Sequence, residues 1–166
     1  RLFPQPLPVL RGLDYAGKTV PLTTGKRAQI YVSAMGLSSY TFACATEAQK
    51  LDDWLGSTAR ALAFYGGVPQ LVVPDNARAL IADPDRYEPR ANQTVLHFAR
   101  HYGTSFLPAR PRSPQDKATA EIAVQIVTRW ILARLRNRSF DSVDEVDAAI
   151  AALLPSINDR PYQKLP

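Results

Sequence analysis

Apolar and polar positions recur with two different periods along this chain, and the changeovers mark its elements. Short β-suited runs come first. "VLRGLDYAG" carries such residues on both sides of Asp14, "AGKTVPLTTGK" reads as a turn into a second extended piece, and Gln29 to Met35 and Tyr40 to Ala45 make two more strands, separated by Gly36 and Ser38-Ser39. These strands are expected to pair antiparallel. From Leu51 the spacing becomes helical: Leu51, Trp54, Leu55, Leu62 and Tyr65 share a face, Thr46 with Gln49 matches a capping box in front of them, and Gly66-Gly67 stops the pattern. Asp52 and Asp53 read as helix surface. A whole helix then separates the next strand, Leu71 to Val73, from its predecessor, so a crossover predicts that it lies parallel to the sheet.

The stretch from Ala77 to Pro89 is polar and turn-rich. A shorter helix is predicted over Asn92 to Tyr102, ending at Gly103, with a brief strand at Ser105 to Leu107 behind it. After the basic loop "PARPRSP" comes the clearest helix start in the chain, with Ser113 as N-cap and Pro114 at the first helical position. That helix should run to about Asn137. Laid out at 3.6 residues per turn, it puts Lys117, Glu121, Gln125, Thr128, Arg129 and Arg136 on one stripe and Ala120, Ala123, Val124, Val127, Ile131 and Leu135 on an apolar arc. Trp54 and Trp130 both read as core. A final helix carries its own box, Ser142 with Glu145, and should bend or end near Pro155. Strands, a helix, a parallel strand and then helices predict an α/β fold with a mixed sheet.

Composition narrows the function. At 166 residues the chain fits one domain, and no apolar run approaches the ~18 residues of a membrane span. The opening "RLFPQPLPVL" has no uninterrupted apolar stretch and reads as a linker over residues 1–8, ahead of a core over 9–157 and the start of an extension at 158–166. A lone cysteine, Cys44, excludes an internal disulfide and a thiolate metal cluster, suits a reducing compartment and reads as a buried small side chain. Net charge is +5, with the cations gathered between Arg100 and Arg138, which favours an anionic partner. "HFARH" holds His97 and His101 four apart but lacks the glutamate of a zinc-protease helix, so surface or packing roles are expected for both. No glycine-rich phosphate loop and no G-x-S-x-G occurs.

Three acids stand out. In "PQLVVPDNARAL" a buried-strand run ends on Asp75, and ligands of such sheets collect at the carboxyl ends of strands. Asp14 belongs to the first strand, which can lie next to that of Asp75, and Glu121 sits in the second turn of the long helix beside the basic stripe. Singly, each is better read as a turn or surface acid. Jointly they point to an all-oxygen site for Mg²⁺ or Mn²⁺, and two such ions can clamp the oxygens of a displacement at phosphorus. Asn76 is placed to orient Asp75, while Lys117, Arg129, Arg110, Arg112 and Arg136 are candidates to hold DNA phosphates.

"GLDYAGKTVPL", "YGGVPQLVVPDNARALI", "ARPRSPQDKATAEIAVQIVTRWILARLRNRSF" and "NDRPYQKLP" together resemble the catalytic core of IstA-type bacterial insertion-sequence transposases, members of the retroviral-integrase superfamily. The resemblance implies an RNase H-like fold, a mixed five-stranded sheet with helices on both faces, and a DDE triad of Asp14, Asp75 and Glu121 holding two Mg²⁺ (or Mn²⁺) ions. It implies metal-dependent cleavage at the 3′ ends of a transposon followed by strand transfer. The alternatives are an RNase H-fold nuclease that never joins and a catalytically silent DNA-binding or assembly module. It further implies homo-oligomers on transposon ends and target DNA, an AAA+ ATPase helper, DNA-binding regions beyond both ends of the core, and a bacterial cytoplasmic location, nucleoid-associated when on DNA. In two places the chain departs from the pattern. The interval from Asp75 to Glu121 is longer than in retroviral integrases, and Thr128-Arg129 stands where many relatives carry a basic residue two turns after the glutamate.

Overall fold

The computed structural model describes residues 10–35, 40–67, 69, 71–74, 89–106 and 114–159. Its centre is a nine-residue strand whose neighbours come from both directions along the chain. Strand β1 spans Leu10–Tyr15, β2 Val20–Pro21, β3 Arg27–Met35 and β4 Thr41–Thr46; helix α1 follows over Leu51–Tyr65 and strand β5 over Leu71–Pro74. Then come α2 (Pro89–Tyr102), β6 (Ser105–Phe106), α3 (Pro114–Val127), a π-helical turn (Thr128–Leu132), α4 (Ala133–Leu135) and α5 (Val143–Asn158). Across the sheet the order is β4–β3–β1–β5–β6, and two-residue β2 pairs with the start of β3. The antiparallel expectation holds for β1, β3 and β4, and the parallel one for β5, which pairs Leu10 with Val72 and Leu13 with Pro74. This is an α/β fold with the expected five strands, plus the short β2.

Helices cover both faces. On one, α1 meets the sheet through hydroxyls set among aromatic rings: Tyr31 Oη lies 3.0 Å from Thr58 Oγ1, Ser33 Oγ 3.1 Å from Tyr65 Oη, and Trp54 meets the Tyr15 and Tyr31 rings edge-on. Buried hydroxyls need such partners, because an unmet one costs about 1–3 kcal/mol. On the other, Ala123, Val127, Ile131 and Leu135 pack inward, with α3 against β1 and β3, while α5 brings Val146, Ala149, Ile150 and Leu154 to β4. Burying each large aliphatic here contributes about 1.5–3 kcal/mol.

The outer rim of β4 is closed by side chains of α5. Asp147 Oδ1 accepts from Ala45 N–H (3.0 Å), Asn158 Oδ1 accepts from Thr41 N–H (2.9 Å), and Asn158 Nδ2 donates to Thr41 O (2.8 Å). Backbone groups that an edge strand would otherwise present to another strand are thereby occupied.

Four local expectations change. Helix α1 begins after Lys50, whose N–H donates to Asp53 Oδ2, so Asp53 acts as a cap; Thr46, the expected cap, instead donates to Ala48 O and meets Tyr15 Oη. The long helix does not keep one period, because Ala133 N–H bonds to Thr128 O, five residues back, making the π turn. Trp130, on that turn, is 40% exposed where core was expected, whereas Trp54 is buried. Helix α5 starts at Ser142 as expected, with Ser142 Oγ accepting from Glu145 N–H, but it continues through Pro155 to Asn158. In the last turn the missing proline N–H disturbs little, and Pro155 O still accepts from Asp159 N–H (2.9 Å). Ser113 and Leu107 lie outside the described residues.

Candidate active site

Asp14 is held near the carboxyl end of β1. It pairs in register with Val32 of β3, its Oδ1 accepts from Tyr15 N–H at 2.8 Å, and the side chain is half-buried. The register irregularity between Arg11 and Asp14 falls here, and such bulges re-aim side chains. Neighbouring Tyr15 points to the α1 face, where burial, the largest influence, pushes its hydroxyl pKa up to about 12. Alternation along the strand therefore sends Asp14 to the opposite face from Tyr15. That is the face where Val32 lies.

On the other side of β1, the last ladder pair is Leu13 with Pro74. One residue on from Leu13 is Asp14; one residue on from Pro74 is Asp75. Asp75 and Asn76 lie outside the described residues, as do Arg110 and Arg112, and nothing is described of the Lys117 side chain. Glu121 is exposed on α3, the helix that packs against β1 and β3. Two elements that carry predicted acids are thus in contact, and the strand leading to the third runs alongside β1.

Among the described residues no cluster of three His, Cys, Asp or Glu side chains forms, a set from which Asp75 is missing. The donor chemistry still discriminates between metals. Cys44 is buried under α1, and burial pushes its thiol pKa up to about 11, so it is no ligand for a soft ion. His97 and His101 are exposed on α2, with the His101 ring edge-on to Tyr102. What remains near β1 is carboxylate, which fits a hard divalent cation.

Of the DNA candidates, Arg129 is exposed at the start of the π turn and Arg136 just beyond α4. Arg136 and Arg138, the end of the basic run Arg129 to Arg138 that the sequence marks for phosphate contact, line a cavity together with Lys18 and Thr19, between the β1–β2 connection and the end of the long helix. Lys18 sits in the turn after β1, far in sequence from the basic segment, and no spacing in the chain signals that meeting. No helix among the described residues is long and apolar enough to cross a membrane.

No family model matches the sequence. Curated relatives do. The chain is 53% identical over 157 residues to the "Putative transposase for insertion sequence IS408" of Burkholderia multivorans, covering 92% of this chain and 30% of that protein. Its counterpart for IS1162 in Pseudomonas fluorescens is 54% identical over 158 residues, covering 92% and 28%. The chain thus spans less than a third of the length of these relatives. Among solved structures, the HTLV-2 integrase catalytic core domain in complex with magnesium superposes with a TM-score of 0.64 at 14% identity, over 95% of this chain and 89% of that one. By sequence the chain belongs among the relatives of bacterial insertion-sequence transposases, and its fold is that of the retroviral-integrase catalytic core.

Proposed function

We propose that this chain is the catalytic core of a DNA transposase, with Asp14, Asp75 and Glu121 as its acidic triad. The observation that carries the reading is the β1–β5 ladder: Leu13 and Pro74 pair, an aspartate follows each in the chain, and the glutamate-bearing helix packs on β1. Three carboxylates brought together repel one another, and divalent cations relieve that repulsion. The solved HTLV-2 core holds magnesium, which supports Mg²⁺, or Mn²⁺ with the same oxygen preference, as the ions held here. Once bound, a pair of such ions supplies charge stabilisation on both sides of an in-line displacement at phosphorus.

The residues of the chain do the rest. In this reading Asp14, whose Oδ1 accepts from the Tyr15 N–H, Asp75, which follows Pro74 in the chain, and Glu121 of α3 are the carboxylate ligands, and Asn76 is the residue assigned to orient Asp75. Lys117, Arg129, Arg110, Arg112 and Arg136 hold the DNA backbone, so that the scissile phosphodiester and the attacking hydroxyl meet in line. The activity is 3′-end cleavage, in which water attacks phosphorus and a 3′-OH leaves, followed by strand transfer, in which that 3′-OH attacks a phosphodiester of target DNA and the target strand's own 3′-OH leaves. Each step exchanges one phosphodiester oxygen for another and needs no covalent protein intermediate. In the full-length protein the core acts within a homo-oligomer on paired transposon ends, assisted by an AAA+ ATPase.

The test is strand transfer by the full-length transposase on pre-cut ends, with Asp75→Asn beside the wild type. Joined product from the wild type, at least ~10³-fold less from the variant and equal DNA binding by both is the expected result. Cleavage without joining by the wild type would make the protein a nuclease. Undiminished joining by Asp75→Asn would remove the triad.

A further inference from the structure

The cavity behind the long helix has a volume of about 230 Å³, and the cations on its wall are Lys18, Arg136 and Arg138, with no carboxylate among the described lining residues. Like charges around one hollow repel each other, and an anion inside relieves all of them at once. Two hydroxyls share the wall. Thr19 Oγ1 accepts from Arg27 Nε, which leaves its O–H to donate, and Thr128 opens the π turn. The apolar part of the lining includes Leu132 and Leu135, both buried, while Lys18, Arg136 and Arg138 are exposed and can be reached by a ligand from solvent.

The walls are held in place before any ligand arrives. Thr23 N–H donates to Phe140 O (2.8 Å) and Thr23 Oγ1 to Asp141 Oδ1 (2.7 Å), so the β2–β3 hairpin is clipped to the segment after α4. The Arg138 guanidinium lies over the Phe140 ring, 5.1 Å from its centroid. Little ordering is then left for binding to bring about. At about 30 Å³ per water, the space admits a tetrahedral oxyanion with several waters. Thr128 lies seven residues after Glu121 on the same helix, roughly 10 Å at ~1.5 Å per residue.

We propose that this cavity is a seat for a phosphate of the DNA backbone, displaced along the strand from the reacting phosphodiester. The proposal rests on the reading of the chain as a DNA-handling core, but not on its metal chemistry. In that role Lys18, Thr19 and Arg138 join Arg136 as contacts that set how far the bound strand extends past the acids.

The 166-residue chain is titrated into a fluorescein-labelled DNA duplex in EDTA, and anisotropy is read over a series of salt concentrations. Two variants are compared with the wild type: Lys18→Glu/Arg138→Glu, which reverses charge, and Ala133→Trp, which fills the cavity mouth with charge unchanged. Both are expected to lose ~10-fold in affinity and to flatten the slope of log K against log salt by ~0.9, the value for one phosphate. Circular dichroism checks folding, and if the charge variant does not fold, Ala133→Trp decides. A loss confined to the charge variant would reduce the feature to general surface attraction and overturn the seat. Unchanged binding by both overturns it while leaving the triad intact, because no divalent ion is present. If Ala133→Trp abolishes binding of inorganic phosphate yet leaves DNA affinity untouched, the ligand is a free anion and the DNA assignment falls. Failure of the wild-type chain to bind the duplex would sink both this seat and the DNA reading beneath it.

Discussion

The rim formed by β4, α1 and α5 and the opposite side formed by β1, β5 and α3 treat their polar side chains in different ways. On the side of β4, α1 and α5, polar groups serve the scaffold: Asp147 and Asn158 meet the backbone of β4, Tyr31 and Tyr65 meet hydroxyls between β3 and α1, and Arg60 pairs with Asp147 at 2.7 Å. Toward the acids, Glu121, Arg129, Arg136 and Arg138 are exposed, and Lys18 with the last two faces a hollow. Groups satisfied within the fold hold shape; groups turned to solvent remain able to engage a charged ligand. The chain separates the two tasks in space.

That contrast can be broken most forcefully at the rim. Ile150→Ala, beneath the fully buried face of α5, is expected to cost about 2–5 kcal/mol in urea unfolding, whereas Glu121→Gln should stay within about 0.5 kcal/mol of the wild type. Equal losses would mean that the acid-bearing helix surface is scaffold after all. Next comes alkaline pH. Cys44 is raised from its ordinary 9.0 to about 11 and Tyr15 from 10.0 to about 12, both chiefly by burial, and buried Tyr31 and Tyr65 are raised too. Unfolded chains lose these protons first, so the unfolded state binds fewer of them and stability falls as pH rises from about 9 towards 12. Urea midpoints that hold steady through that window would contradict it. The smallest effect is expected from Arg60→Ala, under about 1 kcal/mol, because the Arg60 side chain is 47% exposed. A much larger loss would show that the ion pair, and not the backbone contacts of Asp147, closes the rim.

Element order and strand direction were legible because they follow from period and crossover length, which the residues carry locally. Ser142, Gly66, Gly103 and Pro114 act where they stand, the two glycines through φ angles of 78° and 73°. Thr46 misled because its partner in space, Tyr15, is remote in sequence, and a tertiary hydrogen bond displaced the local one. Trp130 misled because a 3.6-residue period was carried across a turn that is wider. Ala123, Val127, Ile131 and Leu135, spaced by four, drift round a straight α-helix by ~40° per step, and a wider turn reduces that drift. Asp14 and Glu121 were proposed from their places in the first strand and the long helix, and the structure puts those two elements in contact, whereas the meeting of Lys18 with Arg138 depends on how the hairpin folds back, and only coordinates reveal it.

The closed margin of β4 bears on how copies of the folded chain behave at high concentration. Proteins concentrated side by side are at risk of fusing through exposed strands into aggregates that no longer come apart. With Asp147 and Asn158 fastened over that margin, neighbours meeting there touch through side chains instead, and such meetings stay reversible.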